Sequence, residues 1–144
     1  MDKVKETFDS KGRKIHYGVG AVIRNENGEY LLIDRAVEPY GYGCISGHIH
    51  EGEKPEEALI REVEEESGLK VVKHKLILEK VFKKRKCFLG DIDHYGYIFV
   101  CEVNGKIKPN PEEVKSIGWY TKEEIDMLKL EPVWKEFFNN METI

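Results

Sequence analysis

Gly47-His-Ile-His-Glu-Gly-Glu53, then Arg61-Glu-Val-Glu-Glu-Glu-Ser-Gly-Leu69 seven residues on, places a glycine-rich turn directly ahead of an acidic helix. With 3.6 residues per turn, each residue rotates about 100°, so Glu62, Glu65 and Glu66 fall within an arc of about 100°. Leu59, Ile60 and Val63 form the adjacent apolar sector, which sets the carboxylates beside the buried stripe. Acidic pairs at three- and four-residue spacing repel one another. A bound cation is the expected compensation. Mg²⁺ suits it, with Mn²⁺ as the alternative, because hard oxygen ligands, retained waters and substrate phosphates make up its usual shell. Ala58 lies on the same side as Glu62 and Glu65, and its small side chain leaves room for ions.

Gly47, Glu53, the run Arg61-Glu62-Val63-x-Glu65-Glu66 and the pair Gly68-Leu69, at these spacings, resemble the Nudix box of the Nudix hydrolase family over residues 47–69. The resemblance implies that Glu62, Glu65 and Glu66 are metal ligands, with the Gly47 carbonyl completing the shell and Glu65 or Glu62 activating water. It implies a structural ion pair between Glu53 and Arg61 that holds the loop against the helix and orients a catalytic carboxylate. Gly68 is expected to end the helix in the left-handed conformation. Two local departures stand out. Ile45-Ser46-Gly47 replaces the usual Pro-Gly-Gly entry, and Lys54 is a poor N-cap, although Pro55 suits the first helical position. The competing interpretation is a solvated acidic helix in which Glu57 and Arg61 pair at four-residue spacing. It accounts for Glu64 but not for Gly47, Glu53 and Arg61 in register with the acidic triplet.

The 144 residues suffice for one domain with its own core, taken as 1–144. A composition of 40% apolar and 35% charged residues is that of a folded globular chain. No apolar run spans a bilayer, and the amino terminus lacks a signal peptide's apolar segment, so a cytosolic location without membrane contact is expected. Cys44, Cys87 and Cys101 are scattered and odd in number, which predicts reduced thiols rather than disulfides or a zinc site. A formal charge of −4 argues against general nucleic-acid binding, which needs a basic face. Whether the protein is a monomer or a homodimer is left open.

Residues 1–14 are predicted to form a short strand or loose arm. Tyr17–Arg24 and Glu29–Asp34 read as strands joined by a tight hairpin through Asn25-Glu-Asn-Gly28, and Tyr40–Gly43 as a flexible approach to the box. A helix over about 55–67 is followed by strand-rich segments at 69–82, 94–103 and 116–120. Thr121-Lys-Glu-Glu124 has the spacing of a capping box, and Pro132 opens a final apolar stretch. Strands on either side of an internal helix predict a mixed sheet between helices, which the resemblance sharpens to the Nudix α/β/α sandwich.

The expected reaction is attack of water on a phosphoanhydride in a nucleoside diphosphate linked to another group, with metal supplying the chemistry. The five histidines form no Ser-His-Asp or Cys-His set. His48 and His50 read as solvated loop residues rather than ligands, and Lys83-Lys-Arg-Lys86 as a solvated loop or strand end rather than a phosphate site. Glu112 and Glu113 precede the last strand, where many relatives carry an extra acid. Tyr40 and Tyr42, or Phe88 and Tyr95, are candidates for base stacking, with ordinary packing the alternative for each. Family substrates range from oxidised nucleoside triphosphates to ADP-ribose and nucleotide sugars. A MutT-like nucleoside triphosphate pyrophosphohydrolase is expected first, then an ADP-ribose or nucleotide-sugar pyrophosphatase, and last a catalytically silent nucleotide-sensing domain.

Overall fold

The computed structural model describes residues 3–87 and 90–141, and Phe88 therefore lies outside the described residues. In chain order the elements are β1 (Glu6–Phe8), β2 (Lys14–Ile23), β3 (Tyr30–Arg35), β4 (Gly41–Gly43), β5 (Ile45–His48) and α1 (Pro55–Ser67). They continue as β6 (Lys70–Cys87), β7 (Gly90–Asn104), β8 (Val114–Tyr120), α2 (Lys122–Ile125) and α3 (Pro132–Asn140). A five-stranded sheet runs β1-β2-β7-β6 with β5 also on β2, and a three-stranded sheet runs β4-β3-β8. The first is mixed, because β2 and β7 are parallel while its other pairs are antiparallel.

Alternation along each strand explains the layers. Val19, Ala21 and Ile23 of β2, Leu31 and Ile33 of β3 and Phe99 of β7 face a core closed by Ala58, Leu59 and Val63 of α1. Their neighbours Val22, Tyr30, Leu32 and Ile98 face a second core closed by Ile125 of α2 and by Trp134, Phe137 and Phe138 of α3. Strands covered on both faces read as near-continuous apolar runs, as β2 and β3 do. The result is the α/β/α sandwich anticipated from the sequence. Gly20 adjoins the Trp134 ring so closely that a Cβ would lie 2.6 Å from Cζ2.

Three expectations change. Asn25–Gly28 does form a tight turn, with the Gly28 N–H donating to the Asn25 carbonyl at 3.1 Å, but the hairpin ends at a single Arg24–Tyr30 bridge. One edge of β2 is taken by β7 and the other by β1 and β5, so β3 departs to pair with β4 and β8. The stretch before the box is strand β4 rather than a flexible approach, paired with β3 and tied by hydrogen bonds between Tyr42 and both Lys129 and Glu131. The third strand also continues past Phe82, because Arg85 and Lys86 of the basic run, and Cys87 after it, pair with Ile92, Asp91 and Gly90 of β7. Lys83 thus lies within β6, exposed and 3.6 Å from Asp93. At the amino terminus the strand alternative holds, as β1.

Among the described residues, no helix is long and apolar enough to cross a membrane. Cys44 and Cys101 are buried free thiols.

Candidate active site

Helix α1 begins at Pro55. Lys54 supplies no side-chain acceptor at its cap, and Glu57 instead accepts the Lys54 N–H at 2.9 Å. The helix ends at Gly68, whose φ of 77° is left-handed and whose N–H donates to Glu64 O at 2.9 Å. Between these ends Arg61 ties the turn to the helix. Its Nε and Nη2 donate to Glu53 at 2.8 and 3.0 Å, and Nη2 also reaches the His48 carbonyl at 2.9 Å. Its Nη1 donates to Glu62 at 2.7 Å and to Glu65 at 3.3 Å. Glu53 in turn accepts the His50 N–H at 2.9 Å. Arg61 is therefore engaged by Glu53 across the turn, whereas Glu57 caps the helix, and the exposed Glu57–Arg61 pairing is not what forms.

Glu62 and Glu66 are buried at 8% and 3% exposure, while the Glu65 side chain is half exposed. All three line a cleft of about 1150 Å³, together with Glu113 and Arg35. Gly47 sits in β5 against this cluster, where a Cβ would overlap the Glu62 carboxylate. The two acidic candidates before β8 separate here. Glu113 reaches the cleft, and Glu112 is exposed and does not line it. The described aromatic candidates, Tyr40, Tyr42 and Tyr95, do not line the cleft. Tyr40 is exposed under Lys115, Tyr42 packs edge-on against Tyr120, and the Tyr95 hydroxyl donates to Glu79.

Burial pushes Glu62 up to about 7 against the pull of Arg61, with Glu65 and Glu113 adding to the rise. Burial, then Glu62, raises Glu66 well above the carboxylate range, although Arg35 and the Ser46 backbone oppose it. Glu66 Oε1 is buried without a hydrogen-bond partner. Glu53 moves the other way, held down first by its hydrogen bond from Arg61. An orphaned carboxylate oxygen beside further carboxylates fits a hard divalent cation, which would favour the ionised forms.

These directions fix a pH dependence. A carboxyl whose folded pKa lies above its unfolded value holds extra protons when folded, so stability falls as pH rises through that window. His48, which burial lowers to about 3, has the opposite effect below its ordinary 6.5. Comparison with Glu62→Gln isolates the carboxyl. Without metal, wild type should lose melting temperature relative to this variant as pH rises from 4.5 to about 7. A difference that does not vary with pH would contradict the assignment.

The histidines require a correction. His48 is not a solvated loop residue: it lies in β5 opposite Gly18, and its Nε2 is 3.2 Å from Nε2 of His94. His50 is also partly buried, with Nδ1 4.0 Å from Glu53. His16 and His94 face each other in the β2–β7 register, and the chain separation of these residues hid the cluster from sequence reasoning.

The arrangement has relatives. Over 72 residues the chain is 36% identical to the 8-oxo-dGTP diphosphatase of Escherichia coli K12, an alignment covering 48% of this chain and 54% of that protein. The chain thus spans about half the length of this curated relative. The crystal structure of the MutT NUDIX hydrolase from Burkholderia pseudomallei superposes with a TM-score of 0.75 at 22% identity, covering 89% of this chain and 98% of that one. The NUDIX domain of Shewanella oneidensis NrtR, solved with ADP ribose, gives 0.74 at 15% identity, covering 92% and 90%. Those two likenesses are of fold, and the sequence itself carries the assignment: residues 14–141 match the NUDIX domain, so the glycine turn, the Arg61 clamp and the acidic helix are those of a member of the NUDIX family.

Proposed function

We propose that the chain is a divalent-metal-dependent hydrolase of phosphoanhydride bonds in nucleoside diphosphate derivatives, with Mg²⁺ the natural ion and Mn²⁺ able to replace it. The observation that carries this reading is the convergence of Glu62, Glu65, Glu66 and Glu113 on one cleft, with a buried oxygen of Glu66 left without a partner. A divalent cation bound there supplies Lewis-acid stabilisation and a stronger water nucleophile at neutral pH. Glu62 and Glu66 would hold it, with the Gly47 carbonyl alongside. Glu65, half exposed and bonded to Arg61 only at 3.3 Å, keeps the freedom to take a proton from the attacking water. Arg61 and Glu53 fix the carboxylates in place, and Glu113 adds negative charge that both Glu62 and Glu66 feel.

A nucleoside triphosphate is the first substrate reading, in keeping with the Escherichia coli diphosphatase. ADP-ribose or a nucleotide sugar is the second, supported by the ADP-ribose complex of the structurally similar NrtR domain. The test is turnover of a panel of both classes with Mg²⁺ or Mn²⁺, resolving products by chromatography. Pyrophosphate with a nucleoside monophosphate identifies the first class, and AMP with ribose phosphate the second. Binding in a thermal shift assay without cleavage of any compound would instead identify a silent sensor.

A further inference from the structure

We propose that His16, His48 and His94 form a second metal site, for a divalent transition metal of the zinc class, distinct from the glutamate cluster. Three strands build it. His16 on β2 stands directly beside His94 on β7, and His48 on β5 is paired with Gly18, two residues from His16 on the same face of β2. Gly18 has no side chain to keep the rings apart. Gly47, the preceding residue of β5, approaches Glu62 on the α1 side, so strand alternation turns His48 away from the glutamates.

The three rings pack edge-on or tilted against one another, and His48 and His94 share a hydrogen bond between their Nε2 atoms, yet the same spacing suits a tetrahedral ion. Zinc–nitrogen bonds of 2.0–2.1 Å in a tetrahedron set neighbouring nitrogens about 3.3 Å apart. The His48 and His94 Nε2 atoms are 3.2 Å apart. One ligand nitrogen from each of the three rings lies within 4.8 Å of the others, so closure on an ion draws them in by no more than about 1.5 Å.

Outer contacts orient the rings. His94 Nδ1–H donates to the Ile92 carbonyl at 2.7 Å, which leaves the lone pair on Nε2, toward His48. His16 Nε2 is 3.5 Å from Glu6, while its Nδ1 is buried without a partner in a residue only 4% exposed. Carbonyl and carboxylate acceptors behind the ring are the usual support of metal-binding histidines. An orphaned buried nitrogen otherwise carries a desolvation cost with nothing to offset it.

Donor chemistry separates the two centres. Imidazole selects zinc, nickel and copper, whereas carboxylates select magnesium and manganese. All three histidines line the cleft, so a fourth coordination position open to it would accept water or an anionic oxygen.

The test uses the full chain, stripped with EDTA, given excess Mg²⁺ and titrated with Co²⁺ as a spectroscopic substitute for zinc. One equivalent should bind with the intense visible absorption of a four-coordinate site and be displaced by one equivalent of Zn²⁺. His94→Ala and His48→Ala should abolish that absorption and weaken binding by more than the ~10–100-fold seen on removing an outer-shell partner. Glu65→Gln should retain it. Weak six-coordinate absorption in wild type, loss of the band to Mg²⁺, or its loss in Glu65→Gln would overturn the proposal. Its retention in either folded histidine variant, checked by circular dichroism, would do the same. The wild-type and Glu65→Gln arms decide the matter even if both histidine variants fail to fold.

Discussion

Glu66→Gln should lower Mg²⁺-dependent turnover by about 10³-fold or more while the metal-free protein melts no lower than wild type. Lewis-acid stabilisation by a bound cation is worth several kcal/mol, and each 1.36 kcal/mol is a factor of ten in rate, so weakening the cation's anchorage reaches this scale. Stability should move the other way, because Glu66 is 3% exposed with Oε1 unpartnered, and its charge is disfavoured by burial before any other influence. Glutamine keeps the shape and removes the charge. Steady-state kinetics over a Mg²⁺ series, alongside thermal melts in EDTA, separates the two effects. Turnover within a few-fold of wild type would remove Glu66 from the metal site, and a large drop in melting temperature would mark it as structural.

Much of this site was legible along the chain because its information is local. Arg61 to Ser67 lie on one helix, so helical rotation alone places Glu62, Glu65 and Glu66 together, while β5 and the turn after it supply Gly47 and Glu53. Spacing of the same kind gave the capping box of α2, where Thr121 Oγ1 accepts the Glu124 N–H at 3.1 Å and Glu124 accepts the Thr121 N–H at 2.8 Å.

What depends on strand neighbours was not legible. The Asn25–Gly28 turn could be read, but not that both edges of β2 are already occupied, which divides the apparent hairpin between two sheets. Glu112 and Glu113 are equivalent in a sequence, and only the course of the chain into β8 brings the second to the cleft. The histidine cluster is the extreme case, since His16, His48 and His94 meet through two registers that no local pattern encodes. Tyr40 and Tyr42 sit beside the box in sequence, yet neither lines the cleft: Tyr42 is held in β4 against β3, and Tyr40 just ahead of it is exposed.

Gly47→Ala should reduce kcat by about 100-fold with little change in stability, the scale expected when a reacting group is displaced by about 1 Å. The backbone at Gly47 is an ordinary strand, so alanine meets no conformational penalty there. Its Cβ would, however, lie on the Glu62 carboxylate, which Arg61 holds from the other side at 2.7 Å. The carboxylate must swing, because it is the far end of a flexible side chain and strand β5 is pinned to β2. Gly52→Ala supplies the opposite case. Gly52 has a φ of 79° with nothing within 4 Å of its Cβ position, so alanine there should cost about 1 kcal/mol of stability through backbone strain while activity persists. Urea unfolding and initial rates on both variants test the pair. If Gly47→Ala keeps full kcat, the close approach of strand β5 to the carboxylate plays no part in aligning Glu62, and the functional demand for glycine at that position must lie elsewhere.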